Sequence, residues 1–205
     1  MRTFAMPSLR LARLPFVIAL AGITTACVSF GAEPPESLLR LTPDISAPVG
    51  KTRDVSAGDT LIVREPEVPA EIDVLRVPVR VSDTNLAYLQ DAIWVEKPAR
   101  LFRRLLAETI RVKTGRVVVD GDAVGLASKH LLRGTIREFG YDAAQSAVVV
   151  QYDAILRTGK NTAATRRFEV RKSGVAPEVS AVGPALNEAA NELAVQVAEW
   201  VEQPS

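Results

Sequence analysis

The spacing of apolar positions changes several times along the chain, and each change marks an element. Thr60-Leu-Ile-Val-Arg64 is a short apolar run closed by Pro66 and Pro69, which predicts a strand. Between Ile72 and Val81, the valines 77, 79 and 81 alternate with Arg76 and Arg80, giving a second strand with one apolar face. Leu86 to Val95, with Tyr88 and Trp94, reads as the extended partner of a hairpin. At Pro98 the period lengthens to that of a helix. Leu101, Phe102, Leu105, Leu106 and Thr109 form its buried stripe, Arg100, Arg103, Arg104 and Arg111 lie mostly opposite, and Gly115 supplies the stop.

The two-residue period then returns. Val117 to Asp120, His130 to Tyr141, Ala147 to Thr158 and Ala163 to Arg171 read as strands, and the short links between them predict an antiparallel meander. Val148, Val150, Tyr152 and Ala154 share one face against Val149, Gln151, Asp153 and Ile155, so the sheet is expected to be covered on one side only. From Ser180 to Val201 the residues Val182, Leu186, Ala189, Leu193, Val197 and Trp200 fall on one helical stripe, with Asn187, Glu188, Asn191, Glu192 and Glu199 assigned to the wet side. Upstream, Leu38 to Thr42 reads as a first strand and Pro43 to Asp59 as a long loop. The expected fold is α+β: a two-layer sandwich of a mainly antiparallel sheet with two amphipathic helices packed on one face.

Composition limits what such a domain does. The chain has 205 residues, 25 basic against 24 acidic, one cysteine and one histidine. Near-neutral charge gives no field to draw it to nucleic acid, and the basic helix face has no interleaved aromatics, so no nucleic-acid partner is expected. A single cysteine excludes an intramolecular disulfide, and a single histidine excludes a multi-histidine metal site; no metal and no cofactor are expected.

The first 26 residues differ from the rest. Arg2, Arg10 and Arg13 precede the apolar run Leu14 to Ile23, which is the pattern of a signal peptide and too short to span a hydrocarbon core of ~30 Å. Thr24-Thr25-Ala26 before Cys27 resembles a bacterial lipobox, with Thr24 standing where leucine is usual. Cys27 is thereby expected to be lipidated, and the boundaries follow as a signal peptide over 1–26, a lipidated tether over 27–37 and a folded domain over 38–203. Removal of the leader takes three arginines and no acid, leaving a mildly acidic chain. Val28 after the cysteine, where an inner-membrane retention signal would place an aspartate, favours the periplasmic face of the outer membrane.

Candidate chemistry is sparse. His130 has no second histidine or cysteine to share a metal and is expected to be structural or superficial; Ser146 and Ser173 lack the Gly-x-Ser-x-Gly setting. Asp91 and Glu96 are close enough in sequence to form an acid pair in principle, but surface carboxylates flanking a strand and a helix start are commonplace, and no glycine-rich phosphate loop occurs. The large aromatics at the strand-to-helix junction, Tyr88 and Trp94, either anchor a core or present a partner-binding surface. The core reading is favoured for Trp94, and Tyr88 stays open between the two.

Several phrases in fixed order carry a family resemblance: Leu86-Ala-Tyr-Leu-Gln-Asp-Ala-Ile-Trp94, Pro98-Ala-Arg-Leu-Phe102, Leu131-Leu-Arg-Gly-Thr-Ile-Arg-Glu-Phe139, Ala164-Thr-Arg-Arg-Phe-Glu169 and the Ala-rich helix ending near Trp200. Together with the leader and Cys27 they resemble the ABC-type transport auxiliary lipoprotein family, which includes the lipoprotein component of the Pqi system. The resemblance implies a non-enzymatic envelope protein working beside an ABC transporter complex and its MCE-domain protein in phospholipid transport, with outer-membrane attachment through acyl chains on Cys27. Self-association into a homo-oligomer is left open. A periplasmic lipid-binding carrier and, more remotely, an envelope hydrolase are the alternatives.

Overall fold

A computed structural model describes residues 37–50, 60–120, 128, 130–159 and 161–203. Cys27, the leader and most of the tether lie outside the described residues, as does the 51–59 part of the expected loop. Among the described residues there are seven strands and two helices: β1 (Thr60–Val63), β2 (Arg76–Arg80), β3 (Leu86–Ile93), α1 (Pro98–Thr114), β4 (Val117–Asp120), β5 (His130–Asp142), β6 (Ala147–Thr158), β7 (Thr162–Ser173) and α2 (Val179–Glu202). They form an α+β sandwich, with the helices packed on each other and α2 lying against β6 and β7.

The long strand β5 organises the sheet. One of its edges is fully occupied by β6, antiparallel from His130↔Thr158 to Asp142↔Ala147, and β7 continues the sheet antiparallel to β6. The other edge is divided. Parallel β1 takes its start at Leu61↔His130, a single bridge joins Glu67 to Thr135 midway, and parallel β2 takes its end at Val79↔Tyr141. Thirteen residues, at about 3.3 Å each, are long enough for two partners in file. The sheet is therefore mixed, and the expected meander is corrected at one place: β4 does not pair with β5 but lies beyond β1, parallel to it from Thr60↔Val117 to Val63↔Asp120.

Leu38 to Thr42 is likewise corrected from a strand to a single parallel bridge, Leu39↔Trp94. Val81, expected on the apolar face of the second strand, falls past its end and is half exposed. α1 begins with Pro98 in its first turn, where the missing N–H costs nothing, and ends at Gly115, whose φ of 67° is the left-handed conformation that glycine adopts without a Cβ penalty.

The core lies between the sheet and the helices. Phe102 of α1 meets Tyr152 of β6 edge to face at 5.4 Å and Phe139 of β5 at 6.4 Å, while Phe139 also meets Trp94 at 5.7 Å. On α2 the predicted stripe is buried from Val182 to Val197, and Trp200 packs at 5.7 Å on Phe168 of β7. Val148, Val150, Tyr152 and Ala154 face the helices as expected, and the opposite face of β6 carries Gln151 and Asp153 to the surface. No helix among the described residues is long and apolar enough to cross a membrane.

Candidate functional site

Three features of the domain carry its polar and aromatic groups outside the core: a clamp on the incoming chain, the outer face of the β2–β3 hairpin, and a charged cleft beside it.

The clamp begins at Leu39. Leu39 donates its N–H to the Ile93 carbonyl at 2.7 Å and accepts from Val95 N–H at 2.8 Å, which stitches it to the junction between β3 and α1. Its side chain rests on Gly183 of α2, where a Cβ would stand 2.6 Å from Leu39 Cδ2. Asn187 Oδ1 then accepts from Thr42 N–H at 2.8 Å. Asn191 Oδ1 accepts from Asp44 N–H, and its Nδ2 donates to the carbonyls of Thr42 and Asn187, all at 2.9 Å. Glu108 of α1 accepts from Ala47 N–H at 2.7 Å. Two carboxamides one helical turn apart thus supply the donors and acceptors that a neighbouring strand would otherwise provide. Asn191, expected on the wet side, is 4% exposed because this strap, the segment from Leu39 to Ala47, covers it.

The hairpin carries the two aromatic candidates to different places. Trp94 is 1% exposed and packs on Phe139, and its indole N–H has no hydrogen-bond partner among the described residues. Tyr88 pairs with Pro78 on the opposite, outer face, and the Arg76 guanidinium stacks over its ring at 4.6 Å. The register between β2 and β3 slips between Arg76 and Pro78, and Asp91 at φ 57° takes up the extra residues; this bulge turns Trp94 inward while Tyr88 stays outside.

Beside the hairpin tip lies a cleft of about 310 Å³ walled by Ile72, Pro78, Leu86 and Phe139. Its floor holds Asp142, whose side chain is 4% exposed. Arg80 donates to Asp142 at 2.5 Å and to Glu138 at 3.2 Å, Arg171 donates to Asp142 at 3.4 Å, and the N–H groups of Ala144 and Gln145 close on the other carboxylate oxygen. Burial pushes the Asp142 pKa up, but the hydrogen bond and charge of Arg80, joined by the Gln145 and Ala144 N–H groups, together outweigh it and hold the carboxyl below its ordinary value. Further along the same face, Asp153 receives Arg167 at 2.5 Å and Arg137 at 2.9 Å, and its pKa falls to about 2.

The remaining candidates are dispersed. Ser128 Oγ bonds to both the N–H and the carbonyl of His130 at the start of β5. Asp91 sits at the bulge, whereas Glu96 is held by Arg100 and Arg104 of α1. Ser146 occupies the tight turn before β6 at φ 47°. Among the described residues no group of three His, Cys, Asp or Glu side chains is placed to hold a metal ion. Sequence reasoning missed Asn187, Asn191 and the Arg80–Asp142–Arg171 network. The only available signal was the Asn-x-x-x-Asn spacing in an otherwise Ala- and Leu-rich helix.

The fold has solved counterparts. A crystal structure of an uncharacterised protein superposes with a TM-score of 0.63 at 17% identity, covering 73% of this chain and 95% of the other. Protein XCC0632 from Xanthomonas campestris superposes with a TM-score of 0.65 at 20% identity, covering 80% and 94%. The PelC dodecamer from Paraburkholderia phytofirmans matches more distantly, with a TM-score of 0.44, 14% identity and coverage of 72% and 91%. At these identities the first two show a shared fold and nothing more, and no curated protein matches the sequence. The family described as ABC-type transport auxiliary lipoprotein component, in contrast, matches residues 43–198, from the strap through nearly all of α2. The chain belongs to the ABC-type transport auxiliary lipoprotein family.

Proposed function

We propose that the protein is a non-enzymatic, lipid-anchored component of an ABC/MCE-type phospholipid transport system, held at the periplasmic face of the outer membrane by acyl chains on Cys27. There it docks the transporter assembly, through contact with the MCE-domain protein, to that membrane. Family membership supports the auxiliary role and the lipoprotein character. The observation that favours an anchored docking module is the clamp: the chain leaving the tether is fixed to α2 by Asn187 and Asn191 and to the core junction by Leu39, so load on the anchor passes into the folded domain. Two acyl chains hold a protein on a bilayer where one does not, at ~0.8 kcal/mol per buried methylene. A contact that is weak in solution then suffices, because tethering raises its effective concentration.

Incorporation of labelled fatty acid is expected in the wild type and lost in Cys27→Ser. Cross-linking in membranes is expected to capture an MCE-domain protein. Absence of Cys27-dependent label would overturn the anchor, and absence of the MCE partner would overturn the docking role.

A further inference from the structure

We propose that the outer face of the β2–β3 hairpin, together with the first residues of the strap, is a membrane-apposed surface that lies against the bilayer holding the anchor. Leu39 and Trp94 bridge with Trp94 buried in the core and Leu39 packed against it, so the residues flanking them, Leu38, Arg40 and Val95, point away from it. Leu38 and Val95 are 50% and 53% exposed, among the most exposed large apolar side chains described. The pairs Arg76↔Ile93, Pro78↔Tyr88 and Arg80↔Leu86 carry the same face along the hairpin, ending at Leu86, 48% exposed. Leu38, Val95, Tyr88 and Leu86 thus form an apolar band, with Arg40 and Arg76 set in it. Neither arginine makes an ion pair among the described residues. Arg40 bonds only to Thr42 Oγ1, and Arg76 lies on Tyr88.

That combination suits the boundary between lipid and water. Aliphatic side chains enter the acyl region, tyrosine takes the headgroup level, and arginine extends a charged head to phosphate from an apolar stem. The location selects a bilayer over a protein as the occupant. Cys27 and Ser37 are ten residues apart, so the chain between them spans at most ~35 Å in any conformation, and Leu38 of this band follows Ser37 directly. A bilayer holding Cys27 is always within reach of Leu38 and Val95. Exposed apolar bands of this kind in otherwise polar surfaces mark interaction sites.

This inference rests on the anchoring of Cys27, and the experiment separates the two. The mature lipidated protein, whose Cys27 thiol is acylated, is given a new cysteine by Val95→Cys, Leu38→Cys or, on the far edge, Thr165→Cys. Each is labelled with an environment-sensitive fluorophore and reconstituted into vesicles of phosphatidylethanolamine and phosphatidylglycerol containing a quencher-bearing lipid. The labels at 95 and 38 are expected to lose most of their emission while the label at 165 keeps its own. Arg40→Glu with Arg76→Glu is expected to restore emission at 95. Protein that floats with the vesicles but shows no quenching at 95 and 38 overturns the membrane-facing surface and leaves the anchor standing. Unquenched labels that transfer energy between copies overturn it in favour of self-association. Protein that neither floats nor incorporates fatty acid overturns the anchor, and this face with it.

Discussion

Replacing Asn191 by alanine tests whether the strap is held by α2 or merely rests on it. The substitution removes three hydrogen bonds, from Asp44 N–H and to the carbonyls of Thr42 and Asn187. Two of these hold the strap and the third lies within α2, so at a net worth of about 1 kcal/mol each the loss of attachment is about 2 kcal/mol. Asn187 would still hold Thr42 and Glu108 would still hold Ala47, so the loss falls on the stretch around Asp44. The helix itself gains, because alanine is favoured over asparagine by roughly 0.5 kcal/mol in a helix interior. Global stability should therefore move little while the strap loosens. Hydrogen exchange read residue by residue resolves the two. The Asp44 amide is expected to exchange at least about tenfold faster, the equivalent of 1.4 kcal/mol, while amides of β5 and β6 keep their rates. Asn191→Asp retains the acceptor for Asp44 N–H but loses both donated bonds, and should fall between the wild type and the alanine variant. Unchanged protection at Asp44 in Asn191→Ala would refute the clamp.

Other expectations concern the sheet and core. Gly134→Ala would drive a Cβ to 2.1 Å from the Asp153 carbonyl and 2.7 Å from the Tyr152 ring, so a loss of about 2–3 kcal/mol is expected, read as a lower midpoint in urea. An unchanged midpoint would show that the β5–β6 contact yields easily. Because Arg167, with Arg137, holds Asp153 to a pKa of about 2 against its ordinary 3.8, that group stabilises the fold fully above about pH 4, and its contribution fades as pH falls from 4 toward 2. Asp153→Asn should flatten the acid limb of the stability curve in that window, and an unaltered limb would count against the assignment. Trp94→Phe removes an indole N–H that has no partner among the described residues, and should cost about 1 kcal/mol or less, whereas Trp94→Ala should cost about 3–5. A loss for Trp94→Phe well above 1 kcal/mol in thermal melts would mean that the indole N–H is satisfied.

Much of this architecture was legible in the residue pattern, and the parts that were not share a physical cause. The helix over 98–114 announces itself by Pro98, its apolar stripe and Gly115, all of which act locally. The inward face of β6 is visible because alternation reports burial. Alternation does not report which strand lies next door. The parallel placement of β1 between β4 and β5 depends on how the long edge of β5 is shared, which no single segment encodes. Asn191 was misassigned for a similar reason. Its polarity is matched to the backbone of a segment about 150 positions away, so within its own helix it looks like a solvent-facing residue. At the site, Trp94 was readable as a core residue from its size and its neighbours. Tyr88 was not, because the bulge at Asp91, which separates the two aromatics, leaves no period to detect.

The direction of the strap sets how the domain responds to mechanical load. From Leu39 at Gly183, through Thr42 at Asn187, to Asp44 at Asn191, it runs the same way along the helix as α2 itself. A pull on the tether directed back along the helix axis loads these attachments together, in shear, and they fail together. A pull away from the helix loads Leu39 first and then Thr42, peeling one contact at a time at much lower force. The same few hydrogen bonds therefore make a strong joint along the helix and a weak one across it.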